Sequence, residues 1–72
     1  MATAIKAEVA GTVFELLAQP GGPVAVGDTL LVIESMKMEI PVDSTVTGTV
    51  SAVRVSTGDV VAQGQVLVEI ES

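Results

Sequence analysis

The sequence predicts an all-β fold, a small sandwich or flattened barrel built from two copies of one unit and carrying internal pseudo-two-fold symmetry. Three observations lead there: a gapless repeat, period-two apolar patterning rich in β-branched residues, and turn-forming Gly and Pro spaced too closely for a stable helix. An offset of 37 positions sets Val9–Ser35 against Val46–Ser72. Of the 27 aligned pairs, 12 are identical, where unrelated sequences of ordinary composition give about two. The identities include Gly11/Gly48, Thr12/Thr49, Val13/Val50, Gly21/Gly58, Val24/Val61, Gly27/Gly64, Leu30/Leu67, Ile33/Ile70 and Glu34/Glu71.

Each copy reads strand, turn, short strand, turn, strand. In the first, Thr12 to Leu17 and Thr29 to Ser35 are rich in Val, Leu, Ile and Thr, and Gly21-Gly22 and Gly27-Asp28 supply residues that accept positive φ. The second repeats the pattern with strands at Thr49 to Val55 and Val66 to Ile70, and with turns at Gly58-Asp59 and Gly64. Alternation near the C-terminus sets Val66, Val68 and Ile70 against Leu67, Glu69 and Glu71, which predicts opposite faces for the two sets. Leu30-Leu31-Val32-Ile33 is apolar in both phases, so periodicity does not assign its faces. Neither unit of about 35 residues can bury its apolar face alone, so the two pack together.

Composition excludes several function classes. The chain has 72 residues and a mass of 7.3 kDa, which makes one small module and no deep cleft of its own. It contains neither Cys nor His. Thiol nucleophiles, disulfides, imidazole metal ligands and the commonest proton carrier near neutral pH are therefore missing. Apolar burial must hold the fold, and the chain is 49% hydrophobic. Nine acidic against three basic residues give a net charge of −6. That field repels phosphate backbones and anionic lipid surfaces, and the single aromatic ring, Phe14, is too few for a base-stacking platform. The mean hydropathy is +0.67, yet runs such as Leu30–Ile33 fall far short of the ~20 residues of a spanning helix. The expectation is no nucleic-acid partner, no membrane partner and, with no secretory signal at Met1–Lys6, a cytoplasmic location.

The repeat also shows where to look for function, because it explains what the halves share. It ends at Ser35. Met36-Lys37-Met38-Glu39-Ile40-Pro41 follows, predicted as a tight hairpin at the sheet edge with Lys37 near its tip and the chain termini at the other end. A surface Lys is ordinarily a solvated charge and Met ordinarily fills cores. Here Lys37 is one of two lysines and stands between two of the three methionines, where apolar side chains find little shelter. That placement calls for a partner. Glu34 recurs as Glu71, so it also reads as an ordinary strand-end carboxylate, whereas Glu39 belongs to the hairpin alone.

These residues carry a family resemblance. Glu34-Ser35-Met36-Lys37-Met38-Glu39-Ile40-Pro41-Val42 resembles the attachment signature of biotinyl domains, the biotin carboxyl carrier modules of biotin-dependent carboxylases. Gly11-Thr12-Val13, Gly27-Asp28-Thr29-Leu30, Gly48-Thr49-Val50 and Gly58-Asp59 also match, so the resemblance spans nearly the whole chain, 1–72, as a single attachment domain. It implies a flattened barrel of two four-stranded antiparallel sheets, with the hairpin in one and the termini in the other. It further implies biotin joined by an amide to Lys37, with Met36 and Met38 seating the cofactor in partner sites and Glu34 and Glu39 contributing to recognition by biotin protein ligase. The arm would then shuttle carboxyl groups from a biotin carboxylase to a carboxyltransferase, as in an acyl-CoA carboxylase, while the carrier itself catalyses nothing. No inserted thumb loop precedes Leu30–Ser35, which resembles the thumbless class, as either a small free-standing carrier or a domain excised from a longer chain. Two other readings stay open. A lipoyl carrier shares the fold but usually shows Asp-Lys-Ala where Met36-Lys37-Met38 stands, and an unmodified interaction module would make that triplet a coincidence.

Overall fold

The computed structural model describes residues 1–72. It contains eight strands and no helix: β1 (Ala2–Lys6), β2 (Gly11–Leu16), β3 (Pro23–Val24), β4 (Thr29–Ser35), β5 (Met38–Asp43), β6 (Gly48–Val53), β7 (Val60–Val61) and β8 (Val66–Glu71). They form two four-stranded antiparallel sheets. The first has the order β1-β8-β6-β3 and the second β5-β4-β2-β7. The strands expected from the repeat lie within two residues of those observed.

The symmetry reaches further than the sequence identities. Adding 37 to each position of the first half carries the pairs of one sheet onto those of the other: Glu34↔Glu39 answers Ala2↔Glu71, Ile33↔Ile40 answers Thr3↔Ile70, and Gly11↔Val61 answers Val24↔Gly48. β1 and β5 thus correspond although their sequences share nothing. The structural unit is residues 1–35 against 38–72, and only Met36 and Lys37 lack a counterpart.

The register shifts obey the same rule. Phe14 in β2 and Ser51 in β6 are extra residues in their ladders, as are Leu30 in β4 and Leu67 in β8. A bulge sets two residues opposite one and resets the alternation of faces. This accounts for Leu30-Leu31, consecutive yet both buried, and it corrects the simple alternation expected for β8. Leu67 lies in the core beside Val68 and Ile70 rather than with Glu69 and Glu71.

The core is correspondingly paired: Val13/Val50, Leu30/Leu67, Leu31/Val68 and Ile33/Ile70 are all at most 1% exposed. Gly11 and Gly48 permit the strands to approach. A Cβ on Gly11 would stand 2.5 Å from the Glu34 carbonyl oxygen and 2.6 Å from Ile33 Cγ2, and one on Gly48 would run into the Glu71 carbonyl oxygen. Both glycines therefore press against the strand that leads into a chain junction: the hairpin for β4, the C-terminus for β8.

Where β8 ends, the N-terminal ammonium of Met1 donates to the Ser72 carbonyl at 3.0 Å and pairs with Glu71 at 3.2 Å. The termini therefore meet in one sheet at the place that corresponds to the hairpin tip of the other. The molecule measures 33 × 17 × 17 Å, and no helix is long and apolar enough to cross a membrane.

Candidate functional site

The hairpin turn is two residues long. Ser35 pairs with Met38, which leaves Met36 and Lys37 as the turn itself, with φ of 52° and 65°. Two positive φ values are the mark of a type I′ turn, whose backbone twist matches that of the flanking strands. Such turns normally use Asn-Gly, because a side chain with a Cβ in the left-handed region costs roughly 1–2 kcal/mol per residue. Met36 and Lys37 are the only residues other than glycine with positive φ in the protein. The strain is thus confined to the two positions without a symmetry counterpart. Strain of this kind persists where the surroundings enforce it, and here β4 and β5 pair continuously from Val32↔Pro41 to the turn. Pro41 does not weaken that ladder's interior, since β5 is an edge strand.

The tip stands clear of the body. Met36 is 93% exposed and Met38 64%, and Lys37 is exposed and makes no ion pair. Behind it, Glu34 and Glu39 are directly opposed across the two strands, both exposed and neither bonded to a cation. Like charges so placed destabilise a sheet. At the corresponding place in the other sheet Glu71 faces Ala2 and holds the N-terminal ammonium, so the unrelieved pair belongs to the hairpin. The five residues singled out in the sequence, Glu34, Met36, Lys37, Met38 and Glu39, therefore form one cluster.

Neither of the two concavities, each about 500 Å³, includes any residue from 34 to 39. No group of His, Cys, Asp or Glu is placed to hold a metal ion. The site is a presented side chain without a surrounding pocket. What the sequence did not signal is the brevity of the turn. Met and Lys carry no preference for the left-handed region, so the tight hairpin expected over Met36–Pro41 gave no sign that Met36 and Lys37 alone form the turn and that Met38–Pro41 is strand.

A fixed, solvent-facing lysine on a two-sheet barrel matches the geometry of a carrier, and comparison with known proteins agrees. The family model described as "Biotin-requiring enzyme", which covers biotin and lipoyl attachment domains, matches residues 1–70. The chain belongs to this family. Its members are biotin and lipoyl attachment domains, and this chain is a non-catalytic carrier of the biotin kind. A full-length relative of this biotin/lipoyl domain is the "Biotinylated protein TB7.3 homolog" of Mycobacterium leprae, 44% identical over 70 residues that cover 97% of this chain and 99% of the relative. Among solved structures, the urea carboxylase of Kluyveromyces lactis matches with a TM-score of 0.92 and 31% identity over 99% of this chain. A single-chain, multi-domain long-chain acyl-CoA carboxylase matches with a TM-score of 0.89 and 34% identity over 94%. The chain spans only 6% and 7% of those two enzymes. Their likeness is to one domain of each.

Proposed function

We propose that residues 1–72 form one biotin carboxyl carrier module in which Lys37 is the attachment site. The observation that carries this reading is the two-residue turn: Met36 and Lys37 alone break the symmetry, alone strain the backbone, and place the Lys37 amine in solvent at a fixed height above β4 and β5. These residues fit biotin because its attachment needs one accessible primary amine and room for a partner enzyme to close around it. The order of the barrel supplies that presentation before any partner arrives.

Lys37 would hold biotin through an amide at Nζ, the nitrogen displacing AMP from an activated biotin carboxyl presented by biotin protein ligase and giving up a proton as the amide forms. Bound biotin supplies a ring nitrogen able to carry a carboxyl group, and that chemistry belongs to the cofactor and to the enzymes that act on it. The chain's own contribution is reach and recognition. Met36 and Met38 offer flexible, polarizable side chains to an apolar partner surface. Glu34 and Glu39 offer adjoining carboxylates that cations of the ligase can relieve. The further partners are a biotin carboxylase and a carboxyltransferase, those of an acyl-CoA carboxylase in this proposal, a class that is among the matched enzymes. The carboxylase would consume ATP and bicarbonate and the transferase an acyl-CoA, and a cytoplasmic location for the carrier is part of the proposal.

Intact-mass measurement after incubation with biotin, ATP and a biotin protein ligase tests the reading. The expected product carries one biotinyl group, and a parallel incubation with a lipoate ligase leaves the mass unchanged. Lipoyl addition without biotinyl addition would replace this reading with the lipoyl carrier. An unchanged mass under both conditions would leave an unmodified interaction module.

A further inference from the structure

The internal symmetry supplies a control for every surface position, since two residues related by the offset of 37 meet the same demands from the fold. Their cores agree, but their outer faces do not. In the sheet that holds the termini, Ser51, Arg54 and Glu69 form a closed polar group. The Arg54 guanidinium pairs with Glu69 at 2.6 Å, and the Ser51 hydroxyl donates to the Glu69 carbonyl at 3.1 Å. The corresponding positions in the hairpin sheet are Phe14, Leu17 and Val32. All three are apolar. Phe14 is 50% exposed and Leu17 48%, and Phe14 is the only aromatic residue of the protein. Val32 is half-buried and pairs with Pro41, whose counterpart is Ala4. The fold is satisfied by Ser, Arg and Glu at these positions, so it does not require the apolar set.

Acidic residues stand within and beside this patch. Glu15 pairs with Val32, while Glu34 and Glu39 lie one row nearer the turn on the same face. None of the three has an ion-pair partner. The patch begins two residues behind Glu34 along β4, about 7 Å at the usual rise of a strand, so a protein that receives the Lys37 amine also covers it. A second copy of this chain is a poor occupant. Face-to-face association would set Glu15, Glu34 and Glu39 against their own kind, in a molecule whose net charge is −6.

We infer that the outer face of the hairpin sheet, where Phe14, Leu17 and Val32 surround Glu15 and are bordered by Glu34 and Glu39, is the surface on which biotin protein ligase docks, through an apolar patch that carries Lys or Arg. The inference rests on the proposed attachment at Lys37. It selects the ligase among the partners because that enzyme must bring the lysine nitrogen itself to its reaction centre, whereas later enzymes meet the end of a long arm. An exposed aromatic beside charged groups is the usual composition of a binding hot spot.

The test exploits the symmetry. Phe14→Ser with Leu17→Arg installs the residues that the other half already uses, and biotinylation is measured with a purified biotin protein ligase at varied carrier concentration. The expected result is a KM at least tenfold higher with little change in kcat, and a melting temperature close to that of the unaltered protein. Glu15→Gln, which leaves the apolar set intact, is expected to raise KM and weaken its dependence on salt. Ser51→Ala with Arg54→Leu, on the opposite sheet, is expected to leave KM unaltered. An unchanged KM in the folded Phe14/Leu17 variant overturns the docking face while leaving attachment at Lys37 intact. Failure of the unaltered protein to accept biotin overturns the attachment itself. Concentration-dependent dimerisation in sedimentation, abolished by the same variant, would assign the face to a second copy.

Discussion

Replacing Met36-Lys37 with Asn-Gly is expected to make the protein more stable and to end its capacity for biotin. The turn has φ of 52° and 65°, a conformation that costs roughly 1–2 kcal/mol for each residue with a Cβ. Asn-Gly is the pair that two-residue hairpins of this type favour. Allowing for the greater freedom that Gly loses on folding, about 0.5–1 kcal/mol, the net gain is about 1 kcal/mol. In a domain of this size such a gain raises Tm by about 4–8 °C. Calorimetry of the unmodified protein checks the first half and mass after incubation with ligase the second. A lower Tm in the Asn-Gly variant would show that Met36 and Lys37 are at ease in the turn and that their strain is not what the site costs the fold. This is the pattern of a functional position that departs from local preference, with the neighbouring strands bearing the consequence.

Leu30→Ala and Leu67→Ala are expected to destabilise the protein severely and by nearly the same amount. Both leucines occupy bulges related by the offset of 37, and both are at most 1% exposed. Truncation of a buried Leu costs about 2–5 kcal/mol, against a total stability of roughly 4–11 kcal/mol for 72 residues. Each change therefore removes a large share of the folding free energy. Urea denaturation of the two variants measures the costs, which are expected to agree within about 1 kcal/mol because the two bulges share their register, against a spread of roughly 2 kcal/mol among buried leucines in unlike surroundings. A small loss at one position and near-complete unfolding at the other would mean that the two halves do not share the load as their register implies.

The sequence made the architecture legible because the same solution is written twice. Gly11/Gly48 and Ile33/Ile70 are identical for a physical reason: a Cβ on either glycine collides with the strand that carries the paired isoleucine. Where that constraint lapses, so does the legibility. β1 and β5 pair through edge ladders that accept Ala2-Thr3-Ala4 in one sheet and Glu39-Ile40-Pro41 in the other, and no repeat is visible between them. The bulges were hidden for a different reason. An extra residue such as Leu67 looks like one more member of an apolar run, and only the pairing of β1 with β8 shows that it displaces the alternation.

The candidate site was legible in its residues and not in its shape. Lys37 drew notice as a charge between two methionines, but a backbone conformation unsuited to Met and Lys leaves no trace in composition. The face formed by Phe14, Leu17 and Val32 went unread because its meaning depends on comparison with Ser51, Arg54 and Glu69, whose mutual contacts exist only in the folded protein. Apolar residues in a strand pattern otherwise count towards the core.

Peptide mapping of the biotinylated protein by mass spectrometry, with Lys37→Arg analysed alongside, addresses the central claim directly. Two lysines are present, Lys6 and Lys37. One biotinyl group on Lys37, none on Lys6 and no incorporation into Lys37→Arg are expected, since the guanidinium keeps the charge and the turn while offering no acylable amine. Biotin found on Lys6, or incorporation that survives in Lys37→Arg, would contradict that claim.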